Sequence, residues 1–283
     1  MPSNSDSDGW ITVSRQEHNK KRIAKQKRSN IRRSNQRNKQ RINNAIINTT
    51  SEKECDVNIS LPELHSIVRE CHHEFEQTDL YQAHLMSLCE NYIEKFAVMV
   101  CYGIGSFSKS KASQWQLACA LSLRNLLGIT STYYYEPYMT ETESQILQDE
   151  FGIQILTTNE RGCRSVDGKA TLFFMPHCPQ LLYHNVLYTN WMTLDKVCII
   201  GNSLSGYALN QIGTITPAIA TLLPYIKEEK MILSTKDTTS HAYFENAFND
   251  SSWMHIIVKD DEIPTKPTSQ EASDDSRLLE EII

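Results

Sequence analysis

Val98-Met99-Val100-Cys101-Tyr102-Gly103-Ile104-Gly105-Ser106-Phe107-Ser108 decides the fold. An apolar run enters Gly-x-Gly-x-x-Ser, and helix-forming residues follow from Lys111. A strand buried on both faces, a tight turn and a helix satisfy this order. The glycines let the chain turn sharply and let a ligand approach the backbone. The following helix start offers free N–H groups and a positive dipole end. Ser108 or Ser110 is placed to cap that helix, and Lys109 and Lys111 add positive charge near a bound anion. The third glycine of the dinucleotide fingerprint is Ser108 here. The same residues also satisfy a bare strand-to-helix turn.

Outward from this unit, apolar β-type runs alternate with helical patterns. Two leading helices are expected over 61–75 and 80–95, the first capped by Ser60 with Pro62 near its first turn and Glu63 behind it. Strands are expected over 97–102, 131–135, 153–157, 171–175, 196–201, 231–234 and 254–258. Helices are expected over 111–127, 140–150, 179–190, within 207–225, and over 241–248. Apolar strands separated by helices predict an α/β fold: a Rossmann-like three-layer domain with a mostly parallel sheet of about seven strands. In Trp115 and its neighbours Ala112, Ala118, Cys119 and Leu126 the apolar spacing is that of a core-facing helix.

The 283 residues carry 40% hydrophobic and 22% charged side chains, which excludes a wholly disordered or fibrous chain. The net charge of −6 hides an asymmetry. Residues 15–41 hold twelve Lys and Arg against one acid, Glu17, whereas residues 42–283 hold 16 basic and 31 acidic residues. Apart from Ile23, Ala24 and Ile31, the basic stretch has nothing apolar to bury, so residues 1–60 are expected to form a mobile basic arm. The folded domain is expected over 61–259 and an acidic tail over 260–283. The first residues lack the apolar core of a signal peptide, and no apolar run approaches the roughly 20 residues that span a bilayer. A soluble intracellular protein with no membrane contact is therefore expected. The eight cysteines contain no Cys-x-x-Cys pair, which predicts buried thiols rather than a disulfide framework or a zinc ribbon.

Each expected strand of the parallel set ends in a polar cluster: Gly103, Gly105, Ser106 and Ser108; Glu136 before Pro137; Thr158-Asn159-Glu160; His177-Cys178; and Asn202-Ser203. A parallel sheet gathers these on its carboxyl edge, where open α/β sheets bind ligands. Glu136 lies 31 residues after Gly105, in the position of a ribose-binding carboxylate. In a cofactor-dependent enzyme Gly103 and Gly105 would admit the cofactor, Glu136 would hold its ribose, and Asn202 and Ser203 would face the substrate. The candidate cofactors are S-adenosylmethionine, favoured by the seven strands, or a nucleotide. His177-Cys178 invites a metal or nucleophilic pair, yet only His184 is near enough in sequence to assist, so no metal is expected. Cys178-Pro179 is also the dipeptide of haem-regulatory motifs, in which a thiolate binds iron. The structural alternative is a helix start with Pro179 in its first turn and His177 bonded to backbone.

Several ordered motifs resemble one known family. Gly9-Trp10-Ile11-Thr12-Val13, the Cys101-to-Phe107 turn, Gln114-Trp115-Gln116-Leu117-Ala118, Tyr135-Glu136-Pro137, Asn159-Glu160, Phe174-Met175-Pro176-His177-Cys178, Asn190-Trp191 and Ile200-Gly201-Asn202-Ser203 are similar to the SRR-like family, named for sensitivity to red light reduced. The likeness covers about residues 65–260 and the short Trp motif. It implies a regulatory protein rather than an enzyme, linked to circadian clock input, clock-gene expression and haem biosynthesis. It also implies a cytoplasmic and, in part, nuclear location. Many relatives carry Asp where this chain has Glu136. The resemblance supplies no catalytic residues. The basic arm is expected to contact protein partners; it has no aromatic residue between Arg15 and Arg41 to stack on bases, so sequence-specific nucleic-acid binding is not expected.

Overall fold

The computed structural model describes residues 59–210, 215–231, 246–258 and 263–268. Nearly all of the basic arm, most of the acidic tail and the first part of the helix expected over 241–248 lie outside the described residues. The described chain builds one seven-stranded sheet in the order β3-β2-β1-β4-β5-β7-β6. The strands are β1 (Val98–Tyr102), β2 (Ser131–Tyr135), β3 (Gln154–Ile155), β4 (Thr171–Met175), β5 (Val197–Asn202), β6 (Ile226–Lys230) and β7 (Ser251–Ile256). β1 to β5 run parallel, while β7 is antiparallel to both β5 and β6. The α/β class and the mostly parallel seven-stranded sheet are therefore as the sequence pattern predicts.

Side chains on successive strand positions leave opposite faces of the sheet. Met99 and Cys101 of β1, with Leu172 and Phe174 of β4, join one apolar layer. Val100 and Tyr102, with Phe173 and Met175, join the other. The first layer is closed by α1 (Leu61–Glu76), α2 (Met86–Glu90), α3 (Lys111–Leu126) and α4 (Glu141–Asp149). The second is closed by α5 (Gln180–Thr189) and α7 (Pro217–Leu222), with α6 (Leu204–Asn210) beginning directly after β5. Largely apolar strands such as Thr-Leu-Phe-Phe-Met of β4, buried along their whole length, follow from helices covering both faces.

Several expected elements differ: the strand expected over 153–157 is only Gln154–Ile155, and that expected over 254–258 runs over Ser251–Ile256. The helix expected over 80–95 is a π-helical turn, Leu80–Leu85, running into the short α2, and the chain then turns through Glu94 with φ +59°. The strand expected over 231–234 lies, apart from Met231, outside the described residues, and the edge strand β6, whose Ile-Lys-Glu-Glu-Lys carries no apolar run, was not expected. β6 lies at the edge of the sheet, where charged residues discourage pairing with a second chain. The helix expected within 207–225 divides into α6, α7 and a 3-10 turn, Leu223–Tyr225. Within the stretch expected to be an acidic tail, Ile263 packs on the second apolar layer and Pro264 accepts a 2.8 Å hydrogen bond from Trp191 Nε1. Lys266 Nζ lies 3.9 Å from the centre of the Tyr188 ring.

Candidate functional site

The Gly turn leaves β1 with Gly103 at φ +66° and Gly105 at φ +84°, conformations that L side chains rarely adopt. Space enforces glycine as well: a Cβ on Gly103 would meet Cys178 Sγ at 2.9 Å, and one on Gly105 would meet Ser113 Oγ at 2.7 Å. Ser110 caps α3, its side chain accepting from Ser113 N–H. Lys111 turns away from the Gly turn to pair with Glu74 at 3.8 Å.

The donors of the turn are taken by carboxylates of the chain itself. Gly105 N–H donates to Glu136 Oε2 at 2.8 Å. Ser106 Oγ and Ser108 N–H donate to Glu143 Oε1 at 2.7 and 2.8 Å. Thr140 N–H donates to the other oxygen of Glu143 at 2.7 Å, while Thr140 Oγ1 accepts from Glu143 N–H, closing a capping box at the start of α4. Glu143 is fully buried and was missed from sequence; the Thr-x-x-Glu spacing of 140 and 143 was the available signal. The anion expected at the Gly turn is thus replaced by two internal carboxylates, one of them sealed in.

Glu136 is different. Its two oxygens accept one bond each, from Gly105 N–H and from Tyr138 N–H at 3.1 Å, and it forms part of the wall of a cavity of about 200 Å³. Tyr102 and Gly103 from the end of β1, and Tyr135, Pro137 and Tyr138 around Glu136, line the same cavity. Asn159 and Gly162 after β3 and Cys178, Pro179 and Leu182 after β4 complete it. β1 and β4 are adjacent, and the strand order reverses between them, so the cavity sits at the switch point of the sheet. Glu160 stands behind it, accepting from Tyr102 OH at 2.9 Å and bidentately from Arg164 at 2.9 and 3.0 Å. Burial and the Glu160 charge push the Tyr102 phenol well above its ordinary range, so its hydroxyl acts as a fixed donor.

The remaining expected residues take other places. His177, in the left-handed region at φ +54°, is held by Asn202 Oδ1 accepting from its N–H at 2.9 Å, and its Nε2 lies 3.1 Å from Ala247 O. Pro179 is the N-cap of α5. Cys178 is buried, its Sγ donates to Tyr102 O at 3.4 Å, and burial, with Glu136 nearby, pushes the thiol far up. A neutral thiol facing a carbonyl does not fit the thiolate that haem iron requires. Asn202 Nδ2 donates to Tyr207 OH at 3.1 Å. Ser203 Oγ donates to Glu228 Oε2 at 2.9 Å and accepts from Gly206 N–H at 2.9 Å, and Ser205 N–H donates to Glu228 Oε1 at 2.9 Å. Cavity contact is therefore made by Gly103, Glu136 and Cys178 of the nine expected residues, while Asn202 bonds to His177 and Tyr207 and Ser203 bonds to Glu228 and Gly206. Among the described residues no group of three His, Cys, Asp or Glu is placed to hold a metal ion, and the described cysteines are all free thiols. No helix among them is long and apolar enough to cross a membrane.

Comparison with known proteins places this geometry in a family. The SRR1 domain profile matches residues 64–255, which include every strand, the Gly turn and the cavity. A mouse SRR1-like protein is 40% identical over 111 residues, 38% of this chain and 44% of that protein. The Arabidopsis protein SENSITIVITY TO RED LIGHT REDUCED 1 is 34% identical over 173 residues, 59% of this chain and 61% of that protein. A Drosophila SRR1-like protein is 32% identical over 107 residues, 37% of this chain and 38% of that protein. The matched stretches thus span between about two fifths and three fifths of these relatives. With the domain matched over most of its length, the chain belongs to the SRR1 domain family.

Proposed function

We propose that this chain is a regulatory protein of the SRR-like kind, acting in circadian clock input, clock-gene expression and the regulation of haem biosynthesis. The match of residues 64–255 to the SRR1 domain carries this proposal, supported by a plant relative whose name states reduced sensitivity to red light. Its domain serves as a small-molecule-responsive scaffold through the cavity at the switch point. The basic stretch of residues 15–41 contacts acidic protein partners and takes part of the population into the nucleus; the rest is cytoplasmic. The acidic remainder of the chain supplies no basic face for reading DNA, so effects on transcription pass through proteins or a ligand. Removal of the gene from cells that express it tests the role. A shifted period or amplitude of a clock reporter together with altered haem content is expected, and normal rhythm and haem together would overturn it.

The alternative is a methyltransferase-like enzyme that binds S-adenosylmethionine. One observation favours it: five parallel strands followed by an antiparallel β7 inserted between β5 and β6 match the sheet of Rossmann-like methyltransferases. This is an analogy of fold, and such analogies do not transmit an activity. Transfer of labelled methyl groups from S-adenosylmethionine to protein or small-molecule fractions of a lysate, lost in Glu136→Ala, is the expected outcome for the enzyme.

A further inference from the structure

We infer that the switch-point cavity selects a phosphate-free nucleoside, a planar base on a ribose diol, and rejects nucleotides. This rests on the cavity being a small-molecule site, as proposed above, and adds the class of ligand. Among the described lining residues there is one carboxylate, Glu136, and no Lys, Arg or His to neutralise a phosphate. Three backbone donors of the turn, of the kind that cradle phosphate in nucleotide-binding turns, are engaged within the chain: Gly103 N–H donates to Tyr135 O, Gly105 N–H to Glu136, and Ser108 N–H to Glu143. A phosphate brought into the cavity would face the Glu136 carboxylate with no cation among the lining residues to neutralise it.

The same arrangement suits a diol. A carboxylate offers about four acceptor positions, and Glu136 uses two of them on Gly105 and Tyr138. Two vicinal hydroxyls can donate to the pair that remains, and a positive charge on the ligand is favoured by the same oxygens. Tyr102, Tyr135 and Tyr138 supply rings against which a planar base can lie. The volume of about 200 Å³ is below the roughly 300–1,000 Å³ of a drug-sized pocket, which suits one nucleoside and not a dinucleotide.

Calorimetric titration of the full-length chain with adenosine, S-adenosylmethionine, AMP and ATP tests this. Adenosine and S-adenosylmethionine are expected to bind, and ATP at least tenfold more weakly than adenosine. Glu136→Gln is expected to weaken adenosine at least tenfold and to narrow the gap to ATP, because the repelling charge is gone. Tyr138→Ala, at a side chain that is 76% exposed, should weaken adenosine without affecting the fold, as checked by thermal unfolding. ATP binding as tightly as adenosine, and weakened by Tyr138→Ala, would overturn the selectivity while leaving the cavity as a ligand site. Absence of binding by all four compounds would overturn both, and adenosine binding unchanged in Glu136→Gln would remove the carboxylate's role.

Discussion

On the β5 side of the carboxyl edge, Ser203, Glu228 and the backbone of Asp250, Ser205 and Gly206 bond to one another. On the β1 and β2 side, Glu136 keeps acceptor capacity beside a cavity. Both halves hold the residue types that a sequence reading selects as ligand-binding. What separates them is access: Glu136 and Glu228 each accept two hydrogen bonds, but Glu136 lines the cavity and Glu228 and Ser203 do not. The contrast recurs within the Gly turn itself, where Glu143 accepts three hydrogen bonds and is fully buried, while Glu136, seven residues earlier, accepts two and lines the cavity.

The sharpest way to break this comparison is to remove each carboxylate. Glu143→Ala strands three donors around a buried site and is expected to cost about 3–5 kcal/mol, read from urea unfolding. Glu136→Gln is expected to stay within about 1 kcal/mol of wild type because its bonds are part-buried and its amide oxygen still accepts. Equal costs would erase the distinction. Next in size, Gly103→Ala is expected to cost about 1–3 kcal/mol from its positive φ and the approach to Cys178 Sγ. A double-mutant cycle with Cys178→Ala should recover part of that cost, and no coupling would show that φ alone matters. Ser203→Ala, which removes two hydrogen bonds on the β5 side, is expected to cost about 1–2 kcal/mol and to leave nucleoside binding unchanged.

A pH dependence is expected at a place remote from the cavity. The His255 ring stacks on Tyr92 at 4.8 Å and accepts from Trp253 Nε1. Burial, then the charges of Lys227 and Lys95, lower its pKa from 6.5 to about 4. The unfolded chain takes up this proton near 6.5 and the folded chain only near 4, so the contribution is whole above about 6.5 and is lost as pH falls towards 4. His255→Phe should flatten this part of the stability profile; an unchanged slope would assign it to other groups.

Much of the architecture was legible because burial on two faces leaves an apolar run that no polar residue interrupts, as in β1 and β4. β6 was not, since an edge strand needs charge where a central strand needs Val or Ile, and the apolar Met231 drew the expectation past it. The strand ends alone bring Gly103, Glu136 and Cys178 to the cavity. The sealing of Ser106 and Ser108 by Glu143 could not, because it depends on contacts 35 to 37 residues apart. Asn202 and Ser203 share the carboxyl edge as expected, yet Ser203 is drawn to Glu228 and Asp250 by the antiparallel return of β7 and β6, while Asn202 bonds to His177 and Tyr207.

The most direct test follows backbone amides of the isotopically labelled full-length chain by NMR during titration with adenosine. Shifts are expected at Gly103, Gly105, Tyr138 and Cys178, with Ser203, Ser205 and Gly206 unmoved. Shifts centred on Ser203 to Gly206, or none at Gly103 and Tyr138 at saturating adenosine, would contradict the assignment of the ligand site to the β1 and β2 side.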